Sequence, residues 1–312
     1  DMVGGGPETK SVFRISGGPI SLPSFIADVV HEIGHFVNQQ TLAHASGDPA
    51  AFPLVSAEGT KNPLLAVMET LSLGSDHQVF NEGTFRIPGI YLHDWPDRYI
   101  HTNFDTVANI DPTKLKRAAF IAALQGYYLA AFSPEDVEPL TRLLKANALA
   151  RARDNTLQLP GLPPLDRVPV MQIYWAVERA KLASIEPFSR VPEGLKQNVL
   201  EDYAQLERLT TPRFLPAMAE VTDDRVFVRN PDIQGPMSAF GYSYREEYFR
   251  PEDLAAMVLT FAQAYETLNL VDGERTVSDI RRWLVAEFGD VPLEGVSQYL
   301  EALERIEVVG SE

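Results

Sequence analysis

The sequence predicts an α/β fold in its first part and a mostly helical remainder, on three observations. Two short runs rich in apolar and β-branched residues, Ser11–Ile15 and Arg86–Leu92, read as strands. Two long stretches, one from Ser21 or Leu22 to Ala45 and one from Pro112 to about Ala131, read as helices. From Ser133 onward helical patterns follow one another, broken by the proline-rich stretch Leu159–Pro169.

In order, the first strand is closed by Gly17-Gly18-Pro19, and the helix after it has Pro23 near its first turn and Gly47 as its stop. Its apolar stripe is Leu22, Phe25, Ile26, Val29, Val30, Ile33, Phe36 and Val37; His31 and His35 fall on the other side with Asp28 and Asn38, predicted to be a solvated face. Residues 48–62 are loop-like, and periodicity leaves Pro63–Leu73 open between helix and strand. Arg86–Leu92 is a strand entered through Pro88. The helix opened by Pro112 is expected to pack through Leu115, Ala119, Ala122, Ala123, Gly126 and Tyr127. Further helices are expected from Ser133 to about Arg153, at Val170–Ile185, at Gly194–Leu209 and at Pro216–Ala219. Phe227–Phe249, with its aromatic residues, reads as strands or an interface, a packed core being the commoner use of such a set.

The net charge is −16 over 312 residues, and it is uneven. Segments 1–132, 133–250 and 251–312 carry 8, 15 and 4 basic residues against 13, 17 and 13 acidic ones. Nucleic acid and anionic membrane surfaces are poor partners for such a chain, because both are bound mainly through basic side chains. No apolar run approaches the ~20 residues that cross a bilayer. With no cysteine, a metal would have to be held by His, Asp and Glu, a donor set that suits hydrolytic zinc better than structural zinc.

Three of the six histidines lie between Gly74 and Asp111. Polar residues after a strand fall where open α/β sheets deliver ligands and catalytic groups. His101 sits there between Tyr99 and the Thr102, Asp105 and Thr106 group, where an imidazole can bind a metal through one nitrogen while a neighbour holds the other. Gly74-Ser75-Asp76-His77 with Phe80, then Ile87-Pro88, then Tyr99-Ile100-His101-Thr102-Asn103-Phe104-Asp105-Thr106 with Ile110-Asp111, resembles the closing half of metallopeptidase family 28, the two-zinc aminopeptidases. Asp1-Met2-Val3-Gly4 is similar to another segment of that family.

The resemblance implies that residues 1–132 are the C-terminal half of a three-layer αβα zinc-peptidase domain. It implies that His101 and Asp1 are ligands of different zinc ions, with Asp76, His77, Phe80 and Tyr99 near the substrate or behind the ligands. Ile100, inserted between tyrosine and histidine, departs from the Tyr-His-Thr motif at Tyr99. The implied reaction is hydrolysis of an N-terminal peptide bond by water bridging two zinc ions. The remaining ligands and the general-base glutamate precede Asp1 in the family, so the chain is expected to be a fragment, inactive alone.

Two other readings stand beside this one. A metal-free binding protein on the same scaffold needs none of those ligands. His31-Glu32-Ile33-Gly34-His35 matches the zinc-protease pattern H-E-x-x-H, which puts two histidines one helical turn apart. No third ligand with a recognisable pattern follows it, Glu69 included. His93, beside Asp94 and Trp95, is expected to be a polar loop residue without a metal role, and His44 to lie near the last carbonyls of its helix.

Residues 133–250 carry no catalytic constellation. In 251–312, Asp272-Gly273-Glu274-Arg275-Thr276-Val277 leads into a helix, the break Gly289–Pro292 follows, then a helix Leu293–Arg305 and a strand beginning at Val308-Val309. This order resembles the PqqD-like winged-helix fold, which implies peptide binding; a structural or dimer-forming role, giving a homo-oligomer, stands beside it.

Overall fold

The computed structural model describes residues 2–213, 221–239 and 242–311. In chain order its elements are β1 (Phe13–Ser16), α1 (Ile26–Ser46), β2 (Val67–Glu69), α2 (His77–Asn81), β3 (Tyr91–Asp94), α3 (Pro112–Ala130), α4 (Val137–Gln158), α5 (Arg167–Ala183), α6 (Glu193–Thr210), β4 (Phe227–Arg229), β5 (Ser238–Ala239), β6 (Tyr242–Ser243), α7 (Tyr244–Tyr248), α8 (Pro251–Ala256), α9 (Phe261–Asn269), α10 (Val277–Phe288), α11 (Leu293–Arg305) and β7 (Val309–Ser311). The protein is mixed α/β, with small sheets. It forms two compact units: Asp1–Gly18, Phe25–Ser72 and Gly89–Pro134 make one, and Pro19–Ser24, Leu73–Pro88 and Glu135–Glu312 the other.

The first unit is built on a three-stranded sheet of order β2-β1-β3, with β1 parallel to β2 and antiparallel to β3. Ile15 lies opposite Met68 on one side and Leu92 on the other. Helix α1 crosses the sheet at Gly34, where an added Cβ would come within 2.5 Å of Ile15 Cδ1 and 2.7 Å of Met68 Cε. The core is Phe13, Ile15, Phe25, Val29, Val30, Ile33 and Val37, joined by Ala118 and Ile121 of α3. Gly47 ends α1 in the left-handed region at φ 83°, a conformation that costs glycine little.

Several expectations are corrected here. The strand expected at Arg86–Leu92 begins only at Tyr91, because Glu82 O takes the amides of Phe85 and Arg86, and Phe80 O that of Ile87. Those hydrogen bonds close a turn, and pairing with β1 then fixes Tyr91–Asp94. The open stretch Pro63–Leu73 contains the short strand β2. Helix α1 starts at Ile26 rather than Ser21, since Leu22 N bonds Pro19 O in a turn.

The polar side of α1 is also not simply solvated. Asp28 is buried, His31 donates its Nε2–H to Ile15 O at 3.1 Å, and Asn38 pairs with both backbone groups of Ala66, at 2.7 and 2.8 Å. Thr41 Oγ1 accepts from Leu64 N at 3.1 Å. The irregular segment 64–66, with Leu65 at φ 52°, has backbone groups that need partners, and the helix supplies them.

Helix α3 packs through the face opposite to the one expected. Thr113, Lys114, Arg117, Ala118, Ile121 and Gln125 are buried, while Ala119, Ala122, Ala123, Gly126 and Tyr127 are exposed, Tyr127 by 72%. Backbone carbonyls line its inner side: Lys114 donates to Gly5 O, Arg117 to Asn62 O and Gln125 to Ile26 O at the start of α1. Asp111 caps the helix through Thr113 N and also accepts from the backbone and side chain of Thr60. Burial alone would raise the Asp111 carboxyl; these hydrogen bonds and the Arg117 charge bring it below its ordinary value.

In the second unit, α4, α5 and α6 pack around Leu140, Leu144, Met171, Trp175 and Tyr203. The helix expected to start at Ser133 begins at Val137 after a 3-10 turn and runs on to Gln158, with Leu140, Leu144 and Ala148 inside. Helices α9, α10 and α11 share a core of Leu268, Ile280, Leu284, Val296 and Leu300, and β7 pairs antiparallel with β4. Thr260 and Thr276 close capping boxes at the starts of α9 and α10. Of the aromatic set, Phe227 and Phe249 are buried and Tyr242 and Tyr248 exposed. The expected helix Pro216–Ala219 and the pair Phe240-Gly241 lie outside the described residues.

Candidate metal centre

His101 lies on an exposed loop after β3, in the left-handed region at φ 60°. The loop is tied by its own short polar side chains. Asp97 Oδ1 accepts from Tyr99 N at 2.7 Å and Ile100 N at 3.2 Å, and the Thr102 hydroxyl donates to Tyr99 O at 2.6 Å while accepting from Phe104 N at 3.1 Å. Asn109 donates to Phe104 O at 2.7 Å, and the Arg98 guanidinium lies 5.4 Å from the Tyr99 ring centre. These are local turns of the kind that Asp, Thr and Asn make with nearby backbone. They hold the backbone of His101 in a defined turn with its side chain exposed.

Asp1 lies outside the described residues; the segment that follows it is well fixed. Asp94, fully buried, accepts from Gly4 N at 2.9 Å and Gly5 N at 2.8 Å through one carboxylate oxygen. Its other oxygen pairs with Lys114, and its amide donates to Met2 O. Asp94 thus fixes the Gly4-Gly5 backbone, a role the sequence analysis did not assign to it. The available signal was the run Gly4-Gly5-Gly6: at Gly5 an added Cβ would come within 2.5 Å of Ser11 Oγ, so a close approach is required there.

Asp76, His77 and Phe80 fall in the second unit, whereas Tyr99 and His101 fall in the first. Asp76 is exposed, His77 is buried at the start of α2, and Phe80 is 52% exposed. Gln78, between them, is fully buried, donates to Ser238 O at 2.7 Å and through its backbone O accepts from the Tyr265 hydroxyl at 2.6 Å.

His93, expected on a loop, is a strand residue 2% exposed. Register explains this: His93 stands opposite Arg14, so it shares a sheet face with Tyr91, Ser16 and Glu69. Its ring stacks on Tyr91 at 4.0 Å, and Nε2 lies 3.7 Å from Glu69 Oε1. Glu69 is held by Ser16 at 2.6 Å and Arg14 at 2.7 Å. Of the H-E-x-x-H residues, Glu32 and His35 are exposed, while His31 spends its Nε2–H on Ile15 O.

Zinc needs about four donors. Among the described residues no three His, Asp or Glu side chains gather to hold a metal ion, and His101 is one donor. The described residues do not by themselves fit a zinc site.

In a comparison with family models, peptidase family M28 matches residues 42–125. The match supports a relationship to these metallopeptidases, and it includes the whole stretch from Gly74 to Asp111. No curated protein and no solved structure matches the chain.

Proposed function

We propose that the chain is the closing part of a zinc-dependent aminopeptidase of the M28 type, in which His101 and Asp1 each hold one of two zinc ions. One observation carries this reading: the M28 match covers 42–125 and contains the ordered set Asp76, His77, Phe80, Tyr99, His101 and Asp111. The other ligands and the general base then come from sequence before Asp1, as the resemblance implies. In this reading Asp97 and Thr102 fix the His101 loop, and Asp94 fixes the segment that follows Asp1. Asp76, His77, Phe80 and Tyr99 stand near the substrate or behind the ligands, and the substrate is a peptide. Residues 1–132 are the peptidase part, 133–250 a helical region and 251–312 a PqqD-like winged-helix domain; the helices α10 and α11 followed by the paired strand β7 support the last assignment.

The test uses the protein extended upstream of Asp1. His101→Ala and His35→Ala variants are compared for bound zinc and for hydrolysis of aminoacyl-nitroanilides. Losing a ligand should cost at least the ~10–100-fold typical of a change behind the ligands. His101→Ala is therefore expected to lose metal and activity by that factor or more, and His35→Ala to stay near wild type. Small, equal effects would favour a metal-free binding protein on this scaffold. A selective loss at His35 would favour the H-E-x-x-H motif.

A further inference from the structure

We propose that Arg229, Tyr265 and Asn269, which lie beyond the stretch matched by the family, are positioning residues for Asp76, His77 and Phe80; this role rests on the peptidase reading above. The observation behind it is an inverted burial pattern. The polar residues Gln78, Asn81 and Glu82 are at most 1% exposed, whereas Phe80, Phe85 and Ile87 are 52%, 45% and 53% exposed. Packing alone favours the reverse, because a buried polar group is costly without a hydrogen bond and an exposed apolar side chain forgoes its burial.

The C-terminal region supplies the partners that hold this arrangement. The Tyr265 hydroxyl donates to Gln78 O at 2.6 Å, and Gln78 Nε2 donates to Ser238 O at 2.7 Å. Gly83 N donates to Asn269 Oδ1 at 2.9 Å. Glu82 pairs with Arg229 through one carboxylate oxygen and accepts from Thr84 N at 2.8 Å through the other. Gly83 is fitted against the same two residues: an added Cβ would crowd Arg229 Nη1 and come within 3.2 Å of Asn269 Cα.

These anchors fix the backbone on either side of Phe80 and leave the Asp76 and Phe80 side chains outward. A substrate-side segment held in place beforehand loses less freedom when a substrate binds. Arg229, Tyr265 and Asn269 therefore act through Asp76, His77 and Phe80, and the C-terminal region is a working part of the peptidase.

The experiment uses the protein extended upstream of Asp1 and compares Tyr265→Phe with Tyr174→Phe. Tyr174 also donates its buried hydroxyl to a backbone carbonyl, Ala148 O, but in the packing of α4 against α5. Tyr265→Phe is expected to lower kcat/KM for aminoacyl-nitroanilides about 3–10-fold, the equivalent of one hydrogen bond. Bound zinc should not change, and amide hydrogen exchange at residues 76–87 should become faster. Tyr174→Phe should leave kcat/KM and that exchange near wild type. With an active wild type, unchanged kcat/KM or unchanged exchange in Tyr265→Phe, or equal losses in both variants, overturns the positioning role alone. A wild type that binds no zinc and hydrolyses nothing refutes the peptidase reading, and the positioning role falls with it. Should Tyr265→Phe not fold, Gly83→Ala, whose added Cβ crowds Arg229, is read in the same way.

Discussion

Glu287 faces Glu266 in the interior of the C-terminal unit, and each carboxyl opposes the ionisation of the other. Glu266 accepts from Ser21 N at 3.2 Å, the Ser21 hydroxyl at 2.8 Å and Asn269 Nδ2 at 2.8 Å, so it holds the negative charge. Both Glu287 oxygens are buried, and beside the Glu266 charge the Glu287 carboxyl gives up its proton less readily. Burial pushes both groups above the ordinary carboxyl value, and the Glu266 charge pushes Glu287 further.

That pair sets a pH dependence. In the unfolded chain Glu287 ionises near the ordinary glutamate value of 4.5; folded, it keeps its proton to higher pH. Across that window the folded state binds the extra proton, so stability declines as pH rises, by up to about 1.4 kcal/mol per pH unit, and levels off once the raised pKa is passed. Glu287→Gln can still donate to Glu266 and has no proton to lose. Urea unfolding from pH 5 to 8 should therefore show a shallower decline for the variant than for wild type; identical slopes would refute the proton retained on Glu287.

His93 and His101 should respond in opposite ways. His93 is buried and stacked on Tyr91, so His93→Ala leaves a cavity in the sheet and is expected to cost about 2–4 kcal/mol in urea unfolding. His101 is exposed, and His101→Ala is expected to stay within about 0.5 kcal/mol. A loss at His101 comparable to that at His93 would mean that the loop depends on the His101 side chain for its fold.

Asn38 is the third case. Asn38→Ala leaves the N–H and C=O of Ala66 without their partner and is expected to cost about 1–3 kcal/mol. Asn38→Asp should give no rescue, because a carboxylate cannot donate to Ala66 O. Full recovery in Asn38→Asp would show that only the bond from Ala66 N matters.

Local signals in the sequence determined where several elements begin and end. Asp111-Pro112 starts α3, Gly47 stops α1, and α11 spans the expected Leu293–Arg305, because caps, prolines and glycines act through the few residues beside them. The sequence likewise displays the His101 motif and the turn-forming residues Asp97 and Thr102 around it. Tertiary structure alone decided which polar groups go inside. Lys114 and Arg117 are buried on α3 while Tyr127 is exposed, His93 lies on a sheet face with Glu69, and Glu266 meets Glu287. Each depends on a partner far along the chain: a loop carbonyl, a strand register or another buried charge. Periodicity records how apolar a face is, and a buried polar group is stable only where a distant segment supplies its hydrogen bond or its opposite charge.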